Sequence, residues 1–304
     1  MAKILGIDTS NYTTSVAVVK DGEILYDARK LLNVEQGQRG LRQSDALFQH
    51  VKNLPDLLNS PFTKGIDAVC VSTRPRPVEG SYMPVFKAGE SIASSIAYTS
   101  GVPIYKTSHQ EGHLEGACRS INFSYKEFIA VHMSGGTTEI LKVSKDNDYS
   151  VEIIGGTKDI SIGQFIDRIG VAMGLSFPAG KDIDELAIKP CDTNLRIPSK
   201  VDGFYFNFSG QETLGLKYIE EGYNKEEIAK AVMICISKTL EKVFNNLLKT
   251  NELPILLVGG VASSIFLKCY FKEKYKDIIF FSDNKYASDN AAGCAFIGLE
   301  KYKR

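Results

Sequence analysis

The chain has 304 residues, of which 43 % are hydrophobic and 24 % charged, ordinary values for a folded protein that exclude a disordered or fibrous architecture. Its 36 basic and 36 acidic residues cancel, so the chain as a whole has no electrostatic footprint for nucleic acid, and an RNA partner needs a local patch or a helper subunit. At roughly 150 residues per domain, the length suits about two domains, each able to bury a core without metal or disulfide staples.

The apolar run 3–9 predicts a strand ending in Asp8-Thr9-Ser10, and 14–19 and 23–29 predict two more. With turns at Ser10-Asn11-Tyr12 and Asp21-Gly22 these read as a two-hairpin meander. A Gln- and Arg-containing loop, 35–43, leads to a helix over 44–59. A strand over 66–72 follows, bounded by Gly65 and by Thr73-Arg74-Pro75-Arg76-Pro77, then a helix over 87–98, and 103–105 begins the run toward His109. The same order starts again near Phe128: strand 128–133, turn Ser134-Gly135-Gly136-Thr137, return strand 139–143, third strand 149–155. Such repetition, about 125 residues apart, predicts two related α/β halves with a cleft between them. Helices over 160–173, 182–187 and 225–249, a buried strand over 254–258 running into Gly259-Gly260, and a small-residue-rich helix over 287–299 complete the chain. Six cysteines without a CxxC read as reduced thiols of a cytoplasmic protein. No apolar run approaches about 18 residues, and the opening runs straight into a strand, so neither a membrane span nor a signal peptide is expected.

Three constellations carry chemistry. In His109-Gln-Glu-Gly-His113 the two imidazoles are four residues apart, so a helix puts them on one face where both can address a divalent ion. A helix-start pair held by hydrogen bonds is the other reading. A zinc-peptidase helix needs its glutamate next to the first histidine, and here Glu111 comes one residue later, so peptidase chemistry has weak support. The glycine turns Ser134-Gly135-Gly136, Gly155-Gly156, Pro178-Ala179-Gly180 and Gly259-Gly260 let backbone amides approach a phosphate. With Asp8, Asp167 and Asp289 nearby they point to a nucleotide cleft, although neither a P-loop nor a Rossmann fingerprint is present. Asp289 either caps the last helix or joins a metal opposite the histidines, its hard oxygen suiting magnesium or a mixed nitrogen–oxygen site for iron, zinc or manganese. Asp167 faces a ribose or phosphate, or makes a salt bridge. Tyr205, Phe206 and Phe208 stack on an adenine or fill the core, and Arg74 and Arg76 meet an anionic acceptor or lie in a solvated loop.

Ile-Asp8-Thr-Ser, His109-Gln-Glu-Gly-His113-Leu, Met-Ser134-Gly-Gly, Phe-Ile-Asp167-Arg with Phe-Pro-Ala-Gly180, Phe206-Asn-Phe-Ser-Gly210, Val-Gly259-Gly-Val and Ser-Asp289-Asn run in order through the chain. Together they resemble the Kae1/TsaD family of tRNA threonylcarbamoyladenosine transferases. The resemblance implies an α/β fold of the ASKHA class (actin-like ATPases and sugar kinases), two duplicated ribonuclease-H-like domains about a central cleft. Their bounds are 1–125, completed by the helix 287–304, and 126–286. It implies an acyltransferase moving a threonylcarbamoyl group from threonylcarbamoyl-adenylate to N6 of adenosine 37 in ANN-decoding tRNA. His109, His113 and Asp289 resemble the ligands of one divalent metal (Fe, Zn, Mg or Mn). Ser134, Gly135, Gly136, Thr137, Asp167, Gly180, Gly259, Gly260 and Ser264 fall where the family holds the adenylate or ATP, and Asp184 where it meets the ribose. Expected partners are an adenine nucleotide, tRNA, and a TsaB-like subunit or a second copy, for which the helices 44–59 and 287–299 are the expected docking surfaces.

The chain departs from the family's pattern at several places. The usual opening Glu-Thr-Ser-Cys-Asp-Glu-Thr is Asp8-Thr-Ser-Asn11-Tyr12-Thr-Thr here, a third histidine is Thr137, and the asparagine of the Gly-Gly turn is Ser264. A Gly-Pro-Gly-rich loop is replaced by Arg74 to Tyr82, and the chain is shorter than the usual bacterial member. A related carbamoyltransferase or kinase with a small-molecule acceptor fits these changes as well. A noncatalytic partner subunit fits less, because the His109, His113 and Asp289 set is whole.

Overall fold

The computed structural model describes residues 2–10, 12–34, 41–283 and 291–304. These form two compact units, one of residues 2–10, 12–34, 41–124 and 291–304, the other of residues 125–283.

In the first unit, β1 (Lys3–Asp8), β2 (Thr13–Lys20) and β3 (Glu23–Leu31) form the expected antiparallel meander, with Asp8 opposite Ser15. On the other side of β1, β4 (Ala68–Arg74) and β5 (Ile104–Ser108) run parallel to it, giving the order β3-β2-β1-β4-β5. Both faces of this sheet are covered, which is why β1 and β2 read as near-continuous apolar runs. Leu5, Ile7, Val16, Val18, Val69 and Val71 pack under α1 (Gln43–Leu58) and α2 (Phe86–Ser100). Ile4, Ala17, Val19 and Cys70 pack under α9 (Ala292–Tyr302), which also lies along α3 (His109–Ser120).

The second unit repeats the arrangement. β6 (Glu127–Met133), β7 (Thr138–Lys145) and β8 (Tyr149–Thr157) form the meander, and β11 (Ile255–Val258) and β12 (Ile279–Phe281) run parallel to β6. The order β8-β7-β6-β11-β12 matches the first sheet strand for strand, with β10 (Tyr205–Phe206) and β9 (Val201–Asp202) added beyond β8. Its core joins Val131 and Met133 to Phe165 and Ile169 of α4 (Ile162–Ala172), Ile183 of α5 (Gly180–Ile188) and Ile236, Leu240 and Phe244 of α7 (Lys225–Thr250).

Some elements were not visible in the sequence. α6 (Ser209–Glu220) buries only Gly215, so it has no apolar stripe to announce it. α8 (Ile265–Lys272) is two turns long, and β9 and β10 are two residues each. Residues 35–40 of the expected loop, Asn11 of the first turn and 287–290 of the expected last helix lie outside the described residues.

The last helix corrects one expectation. Over Ala292–Leu299 it offers no docking surface, because every residue there is buried. Its small residues serve backbone contact: a Cβ on Gly6 of β1 would stand 2.3 Å from the carbonyl oxygen of Ala291, and one on Gly293 only 1.9 Å from that of Gly112 in α3. Cys70, Cys118, Cys235 and Cys294 are buried free thiols, Cys191 is half-buried and Cys269 exposed. Burial pushes the Cys70 and Cys235 thiols up to about 12, so neither is a thiolate at neutral pH. No helix among the described residues is long and apolar enough to cross a membrane.

The close seat of α9 is testable. In Gly293→Ala the new methyl meets a backbone carbonyl that cannot rotate away, an overpacking cost at the upper end of ~1–3 kcal/mol. Alanine returns ~1 kcal/mol of helix propensity, so the expected net loss is about 1–2 kcal/mol in a denaturant titration. A midpoint at or above wild type would show that α9 and α3 separate without cost.

Candidate functional site

In the first unit the parallel strands β1, β4 and β5 end along one edge of the sheet, and their C-terminal residues gather there. α3 starts directly after β5, with Ser108 as its N-cap: the Ser108 hydroxyl accepts the Glu111 N–H at 3.2 Å, and the Glu111 carboxylate accepts the Ser108 N–H at 2.7 Å. The Thr107 hydroxyl donates to the same carboxylate at 3.2 Å. Glu111 is therefore turned back into the start of its own helix. A peptidase base has to stand beside a metal-bound water, and the capping box commits this carboxylate elsewhere.

His109 and His113 occupy one face of α3, one turn apart. Their Nε2 atoms are 3.0 Å from each other, with the rings edge to face at 4.3 Å. Nδ1 of His109 lies 3.0 Å from an oxygen of Asp8, the last residue of β1. Asp8 is buried, and it also accepts the hydroxyl of Ser10 at 2.7 Å and that of Ser72 from β4. The sequence reading set Asp8 near a nucleotide; the fold sets it on His109.

Two nitrogens bound to one tetrahedral divalent ion at ordinary Zn–N lengths stand about 3.3 Å apart. The His109 and His113 nitrogens converge at nearly that separation, so the donor pair fits an ion that takes imidazole, such as zinc, iron or manganese. Among the described residues no third His, Cys, Asp or Glu completes a cluster with them. Asp289, the expected third ligand, lies outside the described residues. Beside this site, the Pro75 carbonyl accepts the Gln110 N–H at 3.0 Å, so the Arg74–Pro75 loop helps to close the start of α3. Arg74 is exposed at the end of β4, opposite Ser108.

In the second unit a cavity of about 550 Å³ opens beyond the C-terminal ends of β6 and β11. Gly135, Asp167, Gly180, Asp184, Gly260 and Ser264 line it, residues drawn from four separate stretches of the chain. Ser134, Gly136, Thr137 and Gly259 are not on its wall. Ser134 closes the β6–β7 turn instead, exchanging bonds with Thr137 at 2.8 and 3.1 Å. Gly259 has φ +92°, and a Cβ there would stand 2.3 Å from the Met133 carbonyl oxygen, so packing and backbone both require glycine. At Gly135, Gly180 and Gly260 neither reason applies: their φ values lie outside the left-handed region and a Cβ would meet nothing within 4 Å. What a side chain would fill at these three positions is open space over bare backbone.

Three carboxylates of this unit have distinct posts. Asp184 is buried and accepts the Ser264 hydroxyl, the Ile265 N–H at 2.7 Å and the Phe266 N–H at 3.2 Å, holding the start of α8 against α5. Ser264 in turn caps α8 by accepting the Leu267 N–H at 3.1 Å. Asp159 accepts the N–H groups of Phe208 at 2.8 Å and Ser209 at 3.0 Å. Burial would raise its carboxyl, but the bonds from Ser209, Phe208 and Ile160 outweigh it and hold the group at about 2. Asp167 accepts one bond, from the Ala179 N–H at 2.8 Å, just before α5. Burial dominates there and lifts its carboxyl to about 6, against the pull of that bond.

The aromatic residues settle on the core. Phe206 and Phe208 are buried, and Phe208 stacks on Phe165 at 5.2 Å. Tyr205 is partly exposed under the ammonium of Lys158. None of the three lines the cavity; its apolar wall includes Ile166, Met233 and Ile265, from three different helices. No local signal marks those three, because their chemistry is that of any core residue.

Residues 38–296 match the sequence model of the tRNA N6-adenosine threonylcarbamoyltransferase family, TsaD. The chain is 30 % identical to the tRNA N6-adenosine threonylcarbamoyltransferase of Thermotoga neapolitana, over 99 % of this chain and 95 % of that protein. Among solved structures it resembles component A of (R)-2-hydroxyglutaryl-CoA dehydratase from Acidaminococcus fermentans, with TM-score 0.63, 15 % identity and 100 % of each chain covered. It also resembles a ROK-family glucokinase from Streptomyces griseus, with TM-score 0.51, 11 % identity and 97 % and 99 % of the two chains covered. At such identities the structural likeness shows the fold alone, which is the expected ASKHA class with its duplicated α/β sheets.

Asp167 makes a prediction that needs no ligand. Its carboxyl is largely protonated in both folded and unfolded chains below about pH 3. Between the unfolded value of 3.8 and the folded value of about 6 the unfolded chain ionises first, so native stability falls as pH rises through that window. Asp167→Asn keeps an acceptor for the Ala179 N–H without the charge. It is expected to match wild type at about pH 3 and to exceed it by about 1–3 kcal/mol at pH 7 in urea titrations. Equal stability at both values would mean that the carboxylate is well solvated.

Proposed function

The chain belongs to the tRNA N6-adenosine threonylcarbamoyltransferase family, and on that premise we propose that it transfers a threonylcarbamoyl group from threonylcarbamoyl-adenylate to N6 of adenosine 37 in ANN-decoding tRNA. One observation carries the reading: the similarity runs through both units, so the imidazole pair and the glycine-walled cavity both fall inside it. N6 attacks the carbamoyl carbon, a C–N bond forms, the bond from that carbon to the phosphate oxygen breaks, and AMP leaves as N6 gives up a proton.

Enzymes of this family use a divalent metal and an ATP-derived substrate. His109 and His113, with Asp289, would hold the metal. Bound there, a divalent ion supplies Lewis-acid stabilisation to negative charge on a reacting oxygen. The cavity of the second unit would take the adenylate. α5 begins at Gly180 without a side-chain cap, so its first N–H groups and helix dipole favour an anion at that wall. Gly135 and Gly260 leave backbone bare for close approach, Asp167 is placed to accept from a ribose hydroxyl, and Met233 and Ile166 offer an apolar surface to a base. Asp184 and Ser264 act on the same site by fixing the start of α8. For a TsaB-like subunit or a second copy, α1 is the surface we favour, because Phe48 and Val51 stand 69 % and 49 % exposed, three residues apart on one helical face.

Two experiments test this. Incubation with threonylcarbamoyl-adenylate and unmodified ANN-decoding tRNA, with and without the organism's TsaB-like protein, should yield modified adenosine detectable by mass spectrometry. His113→Ala should abolish it; product from that variant, or none from wild type, would overturn the assignment. Separately, Gly180→Ala places a methyl on the cavity wall where the fold has room for it. Stability is expected unchanged or raised by up to about 1 kcal/mol, while AMP affinity by calorimetry falls about tenfold or more. Unaltered affinity would move the nucleotide away from this wall.

A further inference from the structure

We propose that Asp8 is the positioning residue of the histidine pair: it holds His109 in the tautomer whose Nε2 carries the lone pair that a metal would take. The inference rests on the reading of His109 and His113 as metal ligands and adds a residue to it.

The acids around this edge have separate tasks. Glu111 is committed to the capping box of α3, and Glu115 pairs with Arg119 at 2.7 Å. Among the described residues Asp8 is a carboxylate that reaches an imidazole, at 3.0 Å from Nδ1 of His109. Two hydroxyls, of Ser10 and Ser72, already donate to its oxygens, and its side chain is 1 % exposed. With both oxygens accepting from those hydroxyls, the carboxylate stands as an acceptor toward the imidazole as well, which puts the hydrogen of this contact on Nδ1 of His109. A neutral imidazole with its hydrogen on Nδ1 carries a lone pair on Nε2, and Nε2 is the atom that faces His113 at 3.0 Å.

Burying a carboxylate is expensive, and the imidazole and the two hydroxyls offset part of that cost. Its position explains the expense. Asp8 ends β1, Ser72 stands near the end of β4, and His109 follows β5, so three adjacent parallel strands hold the triad of side chains rigidly. A carboxylate behind a ligating histidine fixes the ring's orientation and strengthens its donor nitrogen, and loss of such a partner typically weakens metal binding about 10–100-fold.

Zinc binding by the full-length protein, measured by competition with a chromogenic chelator, tests the proposal with three proteins. Asp8→Asn is expected to bind zinc 10–100-fold more weakly than wild type. Zinc affinity equal to wild type in a folded Asp8→Asn protein would overturn the role of Asp8. His113→Ala separates the two layers: loss of zinc there with none in Asp8→Asn sinks this proposal alone, whereas retention of zinc in His113→Ala sinks the metal reading beneath it. Should Asp8→Asn fail to fold, long-range nitrogen–proton correlation spectra of metal-free wild type decide. A hydrogen on Nδ1 of His109 supports the assignment, and a hydrogen on Nε2 with Nδ1 bare overturns it.

Discussion

Parallel pairing of β1 with β4, and of β6 with β11, is the constraint on which both candidate sites depend. A parallel ladder brings strands from distant parts of the chain to end on the same edge, and the loops leaving that edge are where α/β sheets present their chemistry. In the first unit this places Asp8, Ser72 and the start of α3 together, across gaps of 64 and 101 residues. In the second it sets the Gly135 turn and the Gly260 turn on one cavity. The antiparallel meanders carry site residues only at the end of their first strand and the turn that follows.

Glycine is used in two physically separate ways around these edges. At Gly6, Gly293 and Gly259 a side chain would collide with backbone carbonyls at 2.3, 1.9 and 2.3 Å, so these positions let elements touch. At Gly135, Gly180 and Gly260 a side chain would collide with nothing the protein contains. The first group builds the scaffold and the second leaves backbone exposed to a ligand, although in sequence both appear as glycine at the end of an apolar run.

The carboxylates divide in a similar way. Asp159, Asp184 and Glu111 hold the first turns of α6, α8 and α3, each by accepting N–H groups that a helix start leaves without partners. Asp167 has one such bond and enough burial to raise its carboxyl to about 6, and Asp8 reaches an imidazole instead of a helix start.

Local periodicity determined much of this protein before any coordinates. The two meanders, the long helix now seen at Lys225–Thr250, the strand into Gly259 and the pairing of His109 with His113 on one helical face all follow from alternation, spacing of four and glycine after apolar runs, each a property of neighbours in sequence. Tertiary structure decided the rest. The small-residue stretch Ala292–Leu299 reads as a surface in sequence and is buried, because small side chains record close approach without saying to what. Phe206 and Phe208 went to the core, α6 formed without an apolar stripe, and Met233 joined Ile166 on the cavity wall, all through contacts between segments far apart in the chain. Asp8 shows the division most plainly. Its identity and its strand were legible, but its partner is 101 residues away, and only the register of three parallel strands brings a carboxylate to that imidazole.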